Sequence, residues 1–499
     1  MSSSKKIVSA TIWTTALNIV NAVYGFISVP ILINNFGKAE YGLIGLAVSV
    51  NVYLQLMDMG FTNTNIRFFS SWLTKGEQDK VKKGFQTGIF FYGVIGLINT
   101  IAMFVVAFFS DTLFNVTAEQ DVILKHLFYI LALTAFLSWI SSCFEQLVKA
   151  TENVAWYQQR LLFTKILMII VLIVTIFFKL SIELYYIFTC LATLAIIPLA
   201  YKKIKSDLPY VSFLPKWDKT IFKEILPYSL TVFSFAFFQF TFFQLRPVLL
   251  GVRGTVESVA DYQVLNGITN VVQLFSGAFI GILLPSTAKI VAEKNMDAYY
   301  RVAYDGTKYI SILKNFCCFG LMAVGADLIT LYVGLDYINL LPWLCLWLVC
   351  MLGSHNQAIS SLIFAGSDVK ALSVSSALAT TSGIIVCWIT IPIYNVGGTV
   401  CGFITYTIVQ QVFFYFYYWP KKMMINSLLV FTKSFAPFVF CGVVSYFLSQ
   451  QFFHINNNWL SAFCKGAVFT TVFGLSSLLF INKNDKKFLF HIIRKNKNE

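Results

Sequence analysis

Charge is scarce in this sequence. Only 12% of its 499 residues are Asp, Glu, Lys or Arg, and acidic residues are the rarer sign, 23 against 37 basic. Histidine occurs four times. No two of the ten cysteines stand in CxxC spacing, which removes the common metal and redox frameworks. There is no GxSxG, no HExxH, no Walker A pattern and no pair of carboxylates at an acid–base spacing. These absences argue against a hydrolase, a zinc enzyme and a chain that burns nucleotide itself. They also leave no polar stretch long enough for a sizeable soluble domain.

Apolar residues fill the chain instead: 57% are hydrophobic, with a mean hydropathy of +0.72. Runs with few or no charges recur from end to end, each long enough to span roughly 30 Å of hydrocarbon as a helix. A membrane β-barrel would show alternating segments of about ten residues rather than such runs. The fold class expected is therefore an all-α polytopic membrane protein. Fourteen spans are expected near 8–33, 42–66, 85–109, 122–146, 161–178, 181–200, 225–250, 262–288, 309–333, 338–364, 371–393, 397–419, 432–449 and 459–481. Lys5 and Lys6 before the first run resemble a signal-peptide start, but the run is too long for an h-region, so a retained first span is expected. Each cysteine lies in or at the end of an apolar run and reads as a small, reduced core residue.

The net charge of +14 is a topology signal. With span-end residues assigned to the nearer side, one side of the membrane takes all but six of the 37 Lys and Arg; the six are Lys38, Lys125, Lys179, Arg246, Arg253 and Lys465. The positive-inside rule makes the rich side cytoplasmic and puts both termini there. The basic clusters KKIK and KKFLFHIIRKNK sit beside spans, where they attract anionic membrane lipids rather than nucleic acid. The outer loops are all short.

The basic segment 201–224 separates six spans (1–200) from six more (225–419), followed by two additional spans and a basic tail (420–499). Tyr41, Gly60 and Gly84 recur as Tyr262, Gly281 and Gly306 at offsets of 221 or 222, and Pro30 and Pro247 each close the preceding span. This points to a six-plus-six repeat, the construction of many transporters.

Polar residues inside the spans are few and ordered. In the first, Thr11, Thr14, Asn18, Asn21, Gly25 and Ser28 fall within an arc of about 100°. In the second, Asn51, Gln55, Asp58, Thr62 and Asn65 share one face, and in the eighth Asn266, Asn270, Gln273, Gly277 and Gly281 do the same. Amide and small residues also join helices in lipid, so packing is one reading. Three stripes on related helices favour the other, a shared aqueous cavity. Asp58 is an intramembrane carboxylate that could be protonated, paired with Arg67 or facing water. Lys465, Arg246 and Lys314 could snorkel to an interface or line a path for a phosphate-bearing substrate. His126 and His355 read as packed or interfacial, and Asn356 and Gln357 are weak candidates for lining a path.

The stretch VPILINNFGKAEYGLIGLAVSVNVYLQLMDMGFTNTNIRFF resembles the N-terminal signature of the polysaccharide transporter family, the O-antigen flippase type, within the larger superfamily that also holds multidrug and toxin exporters. The proline ending the first span, FGKAEYG in the outer loop and DMG late in the second span carry the resemblance. It implies two six-helix lobes, flipping of an undecaprenyl-diphosphate-linked oligosaccharide to the outer leaflet by alternating access, no catalytic residues and no cofactor. It also implies a place in the bacterial cytoplasmic (inner) membrane and in O-antigen or exopolysaccharide synthesis, beside a glycan polymerase and glycosyltransferases. Asn18, Asn21, Asn51, Gln55, Asn266, Asn270 and Gln273 become substrate-cavity candidates. Arg67, Arg246 and Lys314 become candidates for the diphosphate, and Asp58 for coupling to a sodium or proton gradient. Peptidoglycan-precursor flippases carry arginines in the first helix; here no cation lies between Lys6 and Lys38, which argues against that substrate. Two other readings stand beside it: a drug/cation antiporter of the same fold, and a membrane-embedded glycan polymerase, which the short outer loops disfavour.

Overall fold

A computed structural model describes residues 3–365, 369–451, 455 and 457–480, and every regular element among them is helical. In chain order these are α1 (Ser3–Phe36), α2 (Lys38–Leu54), α3 (Phe61–Thr74), α4 (Gln78–Phe108), α5 (Ala118–Ala150), α6 (Val154–Phe178), α7 (Ile182–Asp207), α8 (Lys219–Arg253) and α9 (Val256–Ala292). There follow α10 (Met296–Ala323), α11 (Gly325–Val333), α12 (Leu335–Phe364), α13 (Ala371–Tyr394), α14 (Val396–Met423), α15 (Ser427–Gln451) and α16 (Asn458–Phe480). Among the described residues ten helices are long and apolar enough to cross a bilayer, and twelve if the bent pairs α2–α3 and α10–α11 each count once. The helices α8 and α9, 35 and 37 residues long, exceed the roughly 20 residues a crossing needs. The described residues thus carry ten to twelve candidate crossings, against the fourteen expected from the sequence.

The chain forms two compact units, Met1–Gly267 with Ile384–Thr399, and Ile268–Gly383 with Val400–Glu499. An aromatic cluster centres the first, including Phe61, Phe69, Trp72, Phe85, Tyr92 and Phe144. Large apolar side chains such as Leu97, Ile101, Leu133, Phe416, Phe463 and Leu479 point outward, as lipid requires. None of the ten cysteines forms a disulfide; five are buried and five half-buried.

Local chemistry sets the helix ends. Thr117 and Gln120 form a reciprocal capping box at the start of α5. Asp218 accepts from the backbone N–H groups of Thr220 and Ile221 to begin α8. Helix continues through 201–207 and resumes at Lys219, so the basic connection is shorter than expected.

Two expected spans are not continuous. The second bends by 44° between α2 and α3, and the ninth by 65° between α10 and α11. At the first break a 3₁₀ turn, Gln55–Asp58, leads into Met59 and Gly60, both left-handed at φ 48° and 76°. Glycine tolerates that conformation freely. The carbonyl of Met59, released from the helix, accepts from the Ser229 hydroxyl. At the second break, Gln450 Nε2 donates to the carbonyl of Ala323 at 2.7 Å. The repeat partner of the second span behaves differently, because α9 runs unbroken through Gly281.

The second glycine of FGKAEYG, Gly42, has a packing cause. A Cβ on Gly42 would lie 2.8 Å from Val256 Cγ1 and 2.9 Å from the Val256 backbone carbon, at the start of α9. Backbone cannot yield as a flexible side chain can. Gly42→Ala is expected to cost about 1–3 kcal/mol through overpacking. Gly25→Ala, which meets nothing within 4 Å, is expected to leave the thermal midpoint in detergent unchanged or higher. Equal midpoints for the two variants would refute the close approach.

Of the six cations on the basic-poor side, five are held locally. Lys38 pairs with Asp261 at 2.7 Å, Lys125 with Asp121 at 2.6 Å and Lys465 with Asp327 at 2.7 Å. Arg253 lies 4.6 Å above the ring of Trp388, and Arg246 lies among the rings of Phe242, Phe243 and Tyr262 at 5.1–5.5 Å. Lys465 therefore does not snorkel: its side chain is 12% exposed and bound to a carboxylate that also accepts from Ser461.

Candidate functional site

The polar stripe of α1 is not a packing seam within its unit. Thr11, Asn18 and Asn21 are exposed, Thr14 and Gly25 are half-buried, and only Ser28 is buried. On the opposite side, Val8, Ile12, Ile19, Val23 and Ile27 are also exposed. The helix thus presents an apolar face and an amide face about 180° apart. Leu17, Val29, Leu32 and Ile33 supply its buried contacts.

On the other two helices the candidate amides are likewise unburied, although Asn65, on the same stripe of the second span, is buried. On the second span Asn51 is half-buried and Gln55 exposed; on α9 Asn266 is half-buried and Asn270 and Gln273 are exposed. None of the seven amides is buried. An amide left in hydrocarbon without partners costs several kcal/mol. Seven amides on unburied faces fit water on those faces.

Asp58 ends the 3₁₀ turn before α3 and acts as a cap for it. Its Oδ2 accepts from the Thr62 backbone N–H at 3.2 Å, and its Oδ1 accepts from the Thr62 hydroxyl at 2.9 Å and from the Tyr92 hydroxyl at 2.7 Å. The free N–H groups and dipole at a helix start favour a carboxylate there. Gln146 donates to Tyr92 Oη at 2.6 Å and to the Thr62 hydroxyl at 3.2 Å, and Asn65 Nδ2 donates to Gln146 Oε1 at 2.9 Å. The network joins α3, α4 and α5. The expected option of an Asp58–Arg67 pair is not realised: Arg67 is exposed and lies 4.2 Å above the ring of Tyr228.

Beside this network is a cavity of about 350 Å³ lined by Asn51, Gln55, Asp58, Thr62, Ser138 and Trp139, among others. The sequence reading found the first four of these on one face of the second span and missed the wall from α5. A signal was present, because Thr134, Ser138, Ser142 and Gln146 recur at four-residue spacing along that helix.

The two other diphosphate candidates are enclosed. Arg246 is 2% exposed within its aromatic surround. Lys314 is 1% exposed and donates to the Ser354 hydroxyl, which in turn donates to the carbonyl of Met351. Next to it, His355 is packed: one ring nitrogen is 2.9 Å from the carbonyl of Leu352, the other 2.6 Å from Tyr415 Oη, and Phe435 stacks at 4.0 Å. Asn356 is buried and Gln357 half-buried. His126 is exposed, 3.4 Å from Glu183. No group of three or more His, Cys, Asp or Glu fit for a metal occurs among the described residues.

The overall helix arrangement is similar to solved structures of lipid and drug transporters. A lipid II flippase MurJ in an inward closed conformation superposes with a TM-score of 0.73 at 14% identity, over 95% of this chain and 98% of that one. An inward-facing multidrug resistance MATE family transporter of the MOP superfamily gives 0.61 at 15% identity over 86% and 99%, and an outward-facing one 0.54 at 15% over 82% and 94%. At these identities the likeness is one of fold. A search of curated proteins gives no match. The family model described as polysaccharide biosynthesis protein matches residues 7–291, more than half of the chain. The protein is thus an integral membrane protein of the transporter fold, and it belongs to the polysaccharide biosynthesis protein family.

Proposed function

We propose that this protein is a flippase for an undecaprenyl-diphosphate-linked oligosaccharide, moved from the cytoplasmic to the outer leaflet of a bacterial cytoplasmic membrane by alternating access. Both termini face the cytoplasm in this reading, and the protein works as a carrier, supplying a glycan polymerase with substrate made by glycosyltransferases. The observation that carries it is the set of seven unburied amides, Asn18, Asn21, Asn51, Gln55, Asn266, Asn270 and Gln273, on helices that must otherwise satisfy lipid. Amides present both donors and acceptors, the complement of sugar hydroxyls.

Arg67 is the diphosphate contact in this proposal, because its guanidinium is exposed while Arg246 and Lys314 are enclosed. A planar guanidinium suits bidentate phosphate binding. A sodium or proton gradient acting through Asp58 supplies the driving force. The competing reading, a drug/cation antiporter, is favoured by one feature: Asp58 lines a cavity without an ion-pair partner among the described residues.

Proteoliposomes holding a fluorescent undecaprenyl-diphosphate glycan separate the two. Protein-dependent loss of the label from one leaflet is expected, slowed by about tenfold or more in Arg67→Glu. Gradient-driven efflux of organic cations with no glycan movement would replace the flippase reading by the antiporter.

A further inference from the structure

The cavity beside Asp58 has polar groups that the protein does not use. The amides of Asn51 and Gln55 line it and form no hydrogen bond with other described residues. Trp139 lines it too, is 7% exposed, and its indole N–H has no acceptor among the described residues. One face of that ring is occupied by Tyr92, stacked at 5.9 Å and 21°. Asp58 and the hydroxyls of Ser138 and Ser142 complete the polar lining, and Ala135 and Phe240 the apolar part.

This lining selects a ligand class. A metal ion is disfavoured, because the single carboxylate already accepts three hydrogen bonds and a tryptophan N–H cannot ligate a cation. A purely apolar ligand would leave two amides and an N–H unsatisfied, at about 1–3 kcal/mol each. A ring with apolar C–H faces and a rim of hydroxyls matches the aromatic wall and the amides together. The volume of about 350 Å³ is at the small end of ligand pockets, which run from about 300 to 1,000 Å³. We infer that this cavity is a binding site for one sugar residue, held by Asn51, Gln55 and Trp139.

The inference rests on the flippase reading for its biological meaning and deepens it by placing one sugar of the glycan within the first unit. It makes Trp139, Ser138 and Ser142 part of substrate selection. It also brings the sugar against Asp58, so the carboxylate proposed for ion coupling meets the glycan directly.

The probe is a panel of methyl glycosides covering neutral hexoses, N-acetylhexosamines and uronic acids, tested by saturation-transfer NMR and calorimetry on the full chain in nanodiscs. At least one glycoside is expected to bind. Gln55→Leu and Asn51→Leu should each weaken it by about tenfold. Trp139→Phe, which keeps the ring and removes the N–H, should weaken it less than Trp139→Ala. Gln55 is exposed, so its variant keeps the test valid if Trp139→Ala fails to fold. Binding to none of the glycosides, or equal binding by the wild type and both amide variants, overturns the site. The outcome is separable from the flippase reading. Wild-type flipping together with unchanged flipping and glycoside binding in the amide variants removes the sugar site alone, whereas glycoside binding without any flipping removes the flippase reading alone.

Discussion

Lys465→Met is expected to destabilise the second unit by about 3–5 kcal/mol, a large share of the stability of any fold. Asp327 begins α11, the short helix after the 65° bend, and its carboxylate is 10% exposed. Its partners are Lys465 Nζ at 2.7 Å and the Ser461 hydroxyl at 3.0 Å, both from α16. Removing the ammonium leaves a carboxylate in a poorly solvated place with one hydroxyl. The pair as a whole need not be stabilising, since desolvation offsets much of the attraction. The double variant Asp327→Asn with Lys465→Met should therefore regain most of the loss. Thermal unfolding of the wild type, both single variants and the double variant in one detergent gives the coupling energy directly. Independent effects that simply add would show that the two helices are not joined through this pair.

That pair also shows where sequence reasoning stopped. Lys465 sits in an apolar run, and a lone lysine near a span end snorkels by default; its partner lies 138 residues earlier, beyond any local pattern. Arg246 hid for the same reason, since the ring of Tyr262 that faces it belongs to the following helix. What was legible depended on period. The apolar runs gave the order of the long helices because crossing a bilayer sets a minimum length for each of them. The stripes on α1, the second span and α9 were legible because a helix repeats its faces every three to four residues, and seven of their eight amides are unburied in the structure, buried Asn65 being the exception. The break at Gly60 was half-legible: DMG carries the cap and the left-handed glycine, but apolar residues continue on both sides and suggest an unbroken span. Trp139 was missed because a tryptophan in a membrane helix says nothing about which way its N–H points.

Asp58 carries the second large expectation, and two substitutions separate its roles. Asp58→Ala removes the cap of α3 and the acceptor of the Tyr92 hydroxyl. The cap contributes about 1 kcal/mol, and a buried hydroxyl left without an acceptor costs about 1–3 kcal/mol more. Tyr92 is fully buried and tied through Gln146 to Asn65, so the damage should reach α4 and α5. Asp58→Asn keeps an oxygen that can accept from Thr62 or Tyr92, and asparagine caps a helix about as well as aspartate. It should therefore fold with a thermal midpoint near that of the wild type, yet it has no charge to titrate or to attract sodium. If the carboxylate couples an ion, flipping by Asp58→Asn in proteoliposomes should be slow and indifferent to imposed sodium and proton gradients, while the wild type responds to one of them. A wild-type gradient response in Asp58→Asn would leave the carboxylate as a cap only. A wild-type midpoint in Asp58→Ala would remove even that, because the broken span would then hold its bend without the group that closes it.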